Sequence, residues 1–299
     1  MLYNHGMLVK EWSEFLDKVR SFFKRRGYFE VDTSILQPYP NIDPHVEPFS
    51  IDTEGLADCP KRLWLRTSPE NSMKKLLSKY QMDIFQIGKV FRKDPCGRLH
   101  RPEFTMLEWY KVGQDYKYLM KEIEEFLKYL GFSEDCEVIR LEHAFEEYAG
   151  VILSEDEEIF KNNLIAYGYP FSDQEDWETL FYRIYIEVER HLGHEKPTFI
   201  THFPSRIGAY AKVKDGYAER FELYIKGVEI ANGWTEETSK SEIERRMKLY
   251  LQGRDLPIDE ELIKAYENFP PCAGCSIGLE RLFMVLMGLN SIDFICWDK

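Results

Sequence analysis

Apolar residues at Leu8, Val9, Trp12, Phe15, Leu16, Val19, Phe22 and Phe23 recur at the spacing of one helical face, and Gly27 stands where such a helix would stop. Tyr28-Phe29-Glu30-Val31 then reads as a strand. Ile84 to Arg92 and Glu103 to Tyr110 read as two antiparallel strands joined by a polar, turn-rich loop, and Tyr116 to Leu130 as an amphipathic helix. From about residue 131 to 195 the pattern is helical and comparatively polar. Within it, Ser154-Glu155-Asp156-Glu157-Glu158 predicts a helix start, with Ser154 and Glu157 as a capping box. Phe221 to Ile230 returns to strand, Glu242 to Gln252 is helical, and Gly274 to Ile277 leads into a helix that ends near Gly288. Asn232-Gly233 has the composition of a turn. No internal repeat, low-complexity tract or long linker interrupts the series.

Composition narrows the class. The 299 residues are 44% hydrophobic, enough for one large core or two modest ones. Six cysteines (Cys59, Cys96, Cys136, Cys272, Cys275 and Cys296) lack the dense spacing of a disulfide scaffold. No charged-then-apolar leader opens the sequence, and no apolar run reaches the ~18 residues that span a bilayer. A reducing cytoplasm, without membrane contact, is the expected setting. The net charge of −13 argues against a nucleic-acid partner, because phosphate contacts are made by an excess of Lys and Arg.

Candidate chemistry gathers in two places. Phe91-Arg92-Lys93-Asp94 enters the loop between the paired strands, His100-Arg101-Pro102 closes it, and Phe104 stands at its exit. A planar guanidinium at Arg92 can grip an α-phosphate through two parallel hydrogen bonds, and an aromatic ring can stack on adenine. Far downstream, Gly278-Leu279-Glu280-Arg281 opens an apolar helix, with Arg281 in its first turn. Two arginines from separate segments suit an adenylation, in which a carboxylate attacks an α-phosphorus and charge builds on the phosphate oxygens.

These residues resemble motifs 2 and 3 of the class II aminoacyl-tRNA synthetases, and specifically the lysyl branch. Within it, Glu229-Ile230-Ala231-Asn232-Gly233-Trp234-Thr235-Glu236 and Lys196-Pro197-Thr198-Phe199 through His202-Phe203-Pro204 are most similar to the elongation factor P lysine ligases, paralogues of lysyl-tRNA synthetase. The resemblance runs from about residue 10 to 290. It implies an α+β fold, a mostly antiparallel sheet of about six strands flanked by helices. It also implies a single catalytic domain over residues 1–299 with no anticodon-binding domain. The opening helix and strand resemble motif 1, which builds a homodimer in this family. The family's proline after that strand is absent, since Val31-Asp32-Thr33 runs into Ser34.

The resemblance assigns roles residue by residue. ATP binding falls to Arg92, Lys93, Asp94, His100, Arg101, Phe104, Glu229, Ile230, Gly278 and Arg281, with Arg92, Arg281 and Glu229 catalytic. Arg101 stands where asparagine is common. Glu229 and Glu236 are expected to hold Mg2+. The amino-acid pocket comprises Ser68, Pro69, Glu70, Glu108, Tyr110, Glu236 and Ser276. Glu70 would take the amino group near the substrate carboxylate, and Glu236 with Tyr110 the distal ammonium. Such carboxylates are needed because a buried cation without a partner is costly. Ser276 occupies a position that is glycine in lysyl-tRNA synthetases and a small non-glycine residue in the ligases. A side chain there would crowd the α-amino region and favour a differently placed amine, as in β-lysine. Cys272 and Cys275 form a lone C-x-x-C and are expected as buried small residues rather than metal ligands.

The implied reaction is ATP-dependent activation of lysine or β-lysine as the adenylate, followed by transfer to a lysine side chain of elongation factor P. Alternatives are a truncated lysyl-tRNA synthetase charging tRNA, a different carrier or small-molecule amine as acceptor, and a non-catalytic paralogue. The last would be expected to have lost Arg92, Glu229 or Arg281.

Overall fold

The computed structural model describes residues 5–172 and 174–295; Cys296 lies outside them. Helix α1 (His5–Arg25) ends before Gly27, whose φ of 82° closes the turn. The two-residue strand β1 (Phe29–Glu30) follows, then a small sheet of β2 (Leu36–Gln37), β3 (Ser50–Asp52) and β4 (Arg62–Leu65). Helix α2 (Glu70–Tyr80) leads into the hairpin of β5 (Ile84–Phe91) and β6 (Glu103–Val112), and then α3 (Tyr116–Leu130). The middle of the chain holds β7 (Glu137–Arg140), α4 (Leu141–Ala144), a π-helical turn through Ala149, α5 (Glu157–Ala166) and α6 (Trp177–Glu189). It closes with β8 (Thr198–Pro204), β9 (Val213–Lys214), β10 (Tyr217–Ile225), β11 (Val228–Thr235), α7 (Lys240–Tyr250), α8 (Glu260–Ala265), β12 (Cys272–Gly278) and α9 (Leu279–Leu286). No helix among the described residues is long and apolar enough to cross a membrane.

The fold is α+β, as expected, but its main sheet has nine strands rather than about six. Their order is β1-β5-β6-β12-β11-β10-β8-β7, with β9 beside β10. All pairings are antiparallel except β1 with β5 and β7 with β8. One face is covered by α1, α3 and α9, where Phe15, Phe23, Phe85, Trp109, Phe126 and Phe283 form a continuous core. The opposite face of β5, β6, β12, β11 and β10 stays partly open and carries the polar residues described below.

Four local expectations are corrected. Residues 131–195 are not merely polar and helical: they include β7 and bury Phe145, Phe160, Trp177, Phe181 and Tyr185 in a second core. Helix α5 is capped by Asp156, whose carboxylate accepts from Ile159 N at 3.0 Å, and not by Ser154, which accepts from Asp156 N one step upstream. The run Phe221 to Ile230 is not one strand. It is the end of β10 and the start of β11 around a two-residue turn, Lys226-Gly227, with φ of 53° and 69°. Asn232-Gly233 is no turn at all but lies inside β11.

Candidate active site

The site is built on three neighbouring rows of cross-strand partners. In the central row, Gln86, Glu108, Ser276, Asn232 and Glu222 stand opposite one another on β5, β6, β12, β11 and β10. On one side lies the row of Tyr110, Gly274, Trp234 and Arg220. On the other, Met106 faces Gly278. A β-bulge shapes the third row. Leu223 pairs with Ala231 but Tyr224 pairs with Glu229, so β11 carries one extra residue. Ile230 and Ala231 both face the core, and the parity shift leaves Glu229 on the same open face as Asn232.

Two cavities meet over this floor, sharing Arg92, Asn232 and Ser276. The smaller, about 220 Å³, is lined by nine of the ten residues expected to bind ATP: Arg92, Asp94, His100, Arg101, Phe104, Glu229, Ile230, Gly278 and Arg281. The tenth, Lys93, turns away and pairs with Glu47 at 3.3 Å. The β5–β6 hairpin brings Arg92 and Phe104 together, its guanidinium 5.3 Å from the ring centre. Arg92 Nε donates to the Thr67 carbonyl at 3.2 Å. Arg281 donates to the carbonyls of Leu99 and Glu229, both at 3.1 Å, and to His100 Nε2 at 2.7 Å. An arginine can only donate, so Nε2 is the acceptor and the imidazole is neutral. Burial and the Arg281 charge hold His100 below its usual pKa. Arg101 pairs with Asp293. Glu280 accepts the Thr105 amide with both carboxylate oxygens at 2.8 Å, locking α9 to the start of β6. At Gly278 a Cβ would meet only Arg281 Cδ, at 3.9 Å, so the absent side chain leaves room for a ligand rather than for protein.

The larger cavity, about 1100 Å³, is lined by Ser68, Glu70, Glu108, Tyr110, Glu236 and Ser276 among others. Pro69 stands just behind, as the N-cap of α2. Lys74, one helical turn after Glu70, is buried and joins two expected pocket residues: its ammonium lies 2.5 Å from Glu70 Oε1 and 2.8 Å from Glu236 Oε2. Burial opposes the Lys74 charge, but Glu236 and Glu70 hold its pKa well above the ordinary value. Glu108 Oε1 accepts from Tyr110 OH at 2.8 Å. Gly274 lets Tyr110 lie flat, since a Cβ would come 2.4 Å from its ring and 2.9 Å from Glu236 Oε1.

Charge is unbalanced here. Burial pushes Glu108 up to about 8 and Glu236 up to about 7, the latter despite Lys74. Glu236 Oε1 is buried with no hydrogen-bond partner among the described residues. An orphaned buried carboxylate oxygen is costly unless a donor arrives from the cavity.

Glu229 and Glu236 do not meet. Seven residues at ~3.3 Å each separate their backbones by roughly 20 Å along the strand, Glu236 is engaged with Lys74, and Glu229 lines the smaller cavity. Cys272 and Cys275 are buried in different cores, Cys272 with Tyr110 and Cys275 with Trp109.

Several participants were not anticipated. Lys74 was signalled by its i+4 spacing from Glu70. Asn232 was hidden by the turn reading. Arg220, buried on β10, donates to Asn232 Oδ1 at 3.1 Å, to the Ile207 carbonyl at 2.6 Å and to Glu222 at 2.5 Å. With its oxygen taken, the Asn232 amide presents its NH2 group to the junction of the cavities.

Residues 7–296 match the family of tRNA synthetases class II (D, K and N). A protein of Aquifex aeolicus called elongation factor P–(R)-β-lysine ligase homolog is 53% identical over 286 residues, 95% of this chain and 97% of that protein. The elongation factor P–(R)-β-lysine ligases of Avibacterium paragallinarum and Haemophilus influenzae are each 37% identical, over 94% of this chain and 91% of theirs.

Proposed function

Because the chain belongs to the class II tRNA synthetase family of the D, K and N type, we propose that it is a ligase that activates lysine or β-lysine with ATP and passes the acyl group to a lysine side chain of elongation factor P. The single observation that carries the amino-acid part is the buried cluster of Glu236, Glu108 and Glu70 around one lysine, in which Glu236 meets Lys74 through Oε2 and leaves Oε1 without a hydrogen-bond partner. Such a pocket favours a ligand that brings ammonium groups. The acceptor is carried over from the names of the relatives, and the net charge of −13 disfavours tRNA.

In the first step the substrate carboxylate attacks the α-phosphorus and pyrophosphate leaves. Arg92, in the loop after β5, and Arg281, in the first turn of α9, bound the smaller cavity and can donate to phosphate oxygens as charge develops. Phe104 offers an aromatic face to adenine. Their present partners are mostly backbone carbonyls and a neutral imidazole, with one longer contact from Arg281 to the Glu229 carboxylate at 3.4 Å, and a phosphate is a stronger acceptor than the neutral groups. Glu229, at the cavity edge, fits Mg2+, an ion that takes one or two carboxylates together with waters and phosphate oxygens and would neutralise the departing pyrophosphate. Glu236 with Tyr110 would hold the distal ammonium and Glu70 the amino group near the carboxylate. In the second step the acceptor amine attacks the acyl carbonyl and AMP leaves. All three groups whose loss would mark a non-catalytic paralogue, Arg92, Glu229 and Arg281, are present and line the cavity.

Two assays test the reading. Pyrophosphate should exchange into ATP in a manner that requires magnesium and lysine or β-lysine. Elongation factor P should then gain the mass of one acyl group, while total tRNA from the same source stays uncharged. Efficient tRNA charging with no mass gain on elongation factor P would promote the truncated-synthetase reading. Absence of any exchange would end the adenylation reading.

A further inference from the structure

The larger cavity holds far more space than one amino acid fills. Its lining passes from buried Glu236 and Tyr110, through half-buried Asp43, to the more open His45, Glu178, Tyr182 and Tyr250, which we take as its outer mouth. Aromatic rings and carboxylates at that mouth suit the stem and charged head of a lysine side chain entering from outside. Asp43 is surrounded by protein, keeps part of its surface open, and lines the cavity.

We propose that Asp43 is the catalytic base of the transfer step, accepting a proton from the ε-ammonium of the acceptor lysine as that side chain enters from the outer mouth. The inference rests on the proposed adenylation and transfer. Three observations carry it. First, Asp43 is close to where the adenylate must lie: Thr67 Oγ1 donates to Asp43 Oδ2 at 3.2 Å, and the Thr67 carbonyl accepts from Arg92 Nε at the same distance. Second, its loop is pinned. Tyr210 OH donates to the Ile42 carbonyl, and Arg254 donates to the carbonyls of Asp43 at 2.8 Å and Val46 at 2.6 Å. Asn41 donates to Ser68 Oγ, and His45 meets Glu178 at 2.7 Å. Third, the other carboxylates of the cavity are engaged elsewhere. Glu70 and Glu236 share Lys74, and Glu108 takes the Tyr110 hydroxyl. Glu47 and Glu178 sit at the rim with Lys93 and His45. Asp43 accepts one side-chain hydrogen bond, from a neutral hydroxyl, and has capacity for another.

Burial and the neighbouring Glu70 raise Asp43 to about 6, with Arg92 opposing, so it is ionised at neutral pH and a stronger base than an exposed aspartate. An acceptor lysine in water has a pKa of ~10.4, which leaves only about one amine in 10³ unprotonated near neutrality. Desolvation in the channel lowers that value, and a carboxylate beside the ammonium gives the proton a destination. The ε-ammonium gives one proton to Asp43. The freed lone pair forms the C–N bond to the acyl carbonyl carbon. The bond from that carbon to the adenylate oxygen breaks, AMP leaves with the electron pair, and the second nitrogen proton passes to the departing phosphate.

The test separates the half-reactions in Asp43→Asn, a nearly isosteric change. Pyrophosphate exchange with lysine or β-lysine should stay within about threefold of the unmodified protein. Transfer should fall by ~10²-fold or more, the range for a general base, both to elongation factor P and to the probe Nα-acetyl-lysine amide. Asp43→Glu should recover part of it. Equal loss in both half-reactions would overturn the proposal and place Asp43 in the amino-acid pocket, and undiminished transfer would also overturn it. Exchange without transfer to either acceptor in the unmodified protein would count against it too, since a base would have no amine to serve. Absence of exchange in the unmodified protein is instead the failure of the adenylation reading itself.

Discussion

The two cavities share Arg92, Asn232 and Ser276 yet hold charge in opposite ways. On the nucleotide side the arginines are partly exposed, and their partners are backbone carbonyls, a neutral imidazole and the carboxylates of Glu229 and Asp293. Exchanging such partners for a phosphate involves little reorganisation. On the amino-acid side Glu70, Glu108 and Glu236 are buried around one lysine, and burial has pushed two of them toward neutrality. That region is held in an unfavourable charge state which a cationic ligand relieves. In the proposed reading the smaller cavity would offer preorganised donors for a developing charge, whereas the larger would select by the cost of leaving a buried charge unpaired.

Glu236→Gln should produce the largest difference between the two. Removing one member of a buried charge pair costs ~3–5 kcal/mol, so lysine affinity measured by calorimetry should drop by ~10²-fold or more. Lys74 keeps Glu70 as a partner, and ATP affinity should hold. If ATP affinity collapses while lysine affinity survives, the division between the cavities is wrong. Arg281→Ala should come next, lowering pyrophosphate exchange by ~10²-fold, as when one transition-state donor is removed. Its effect should fall on the exchange rate, with lysine affinity unchanged. Exchange that ignores this change would remove Arg281 from the nucleotide site.

The contrast also explains what could be read without coordinates. The grouping of the smaller cavity's residues was legible because they come from short contiguous segments around one hairpin and one helix start. Nine of its ten expected residues line one cavity. The amino-acid side depends on partners that no contiguous pattern links. Lys74 matters only because α2 packs its fifth residue against Glu236, just past the end of β11, and Asp43 only because Arg254 and Tyr210 hold its loop over the cavity. The bulge at Ile230 is equally silent in sequence: it reverses the in–out alternation, so that Glu229 and Asn232 share a face although they are an odd number of residues apart. Turn chemistry misled for a related reason. Asn232-Gly233 has the better turn composition, but Lys226-Gly227 is where β10 reverses, because register with β8 and β12 on either side fixes Asn232 opposite Ser276 and Glu222.

Ser276 lies on the shared wall and tests whether substrate choice belongs to that boundary. Its side chain stands between Asn232 and Glu108. Ser276→Gly should shift preference toward α-lysine by making space beside the amino group, with ~1–3 kcal/mol at stake for a small change in a packed pocket. The ratio of kcat/KM for lysine and β-lysine in the exchange assay measures it. An unchanged ratio would move the selectivity deeper, to Glu70 and Glu236.

The smallest expected effect is also the one that separates the cavities most directly, because it changes nothing but pH. Glu108 and Glu236 have folded-state values, about 8 and about 7, raised by burial above the ordinary 4.5. A raised acid favours the folded state fully below the unfolded value and loses that contribution as pH climbs through the folded one. The empty protein should therefore unfold at progressively lower temperature between pH 5 and 8, within the limits that other groups impose. Lysine binds the ionised carboxylates, and its own distal ammonium, with a pKa of ~10.4, stays charged throughout. Its affinity should thus rise between pH 7 and 8.5, by less than about tenfold as these groups ionise. Over the same interval the nucleotide cavity should be silent, because His100, held below its usual value by burial and Arg281, remains neutral. Calorimetric titrations of lysine and of ATP at three pH values would read both slopes. Parallel slopes for the two ligands would show that one electrostatic environment governs both cavities, and a flat lysine slope would mean that Glu108 and Glu236 are already ionised in the empty pocket.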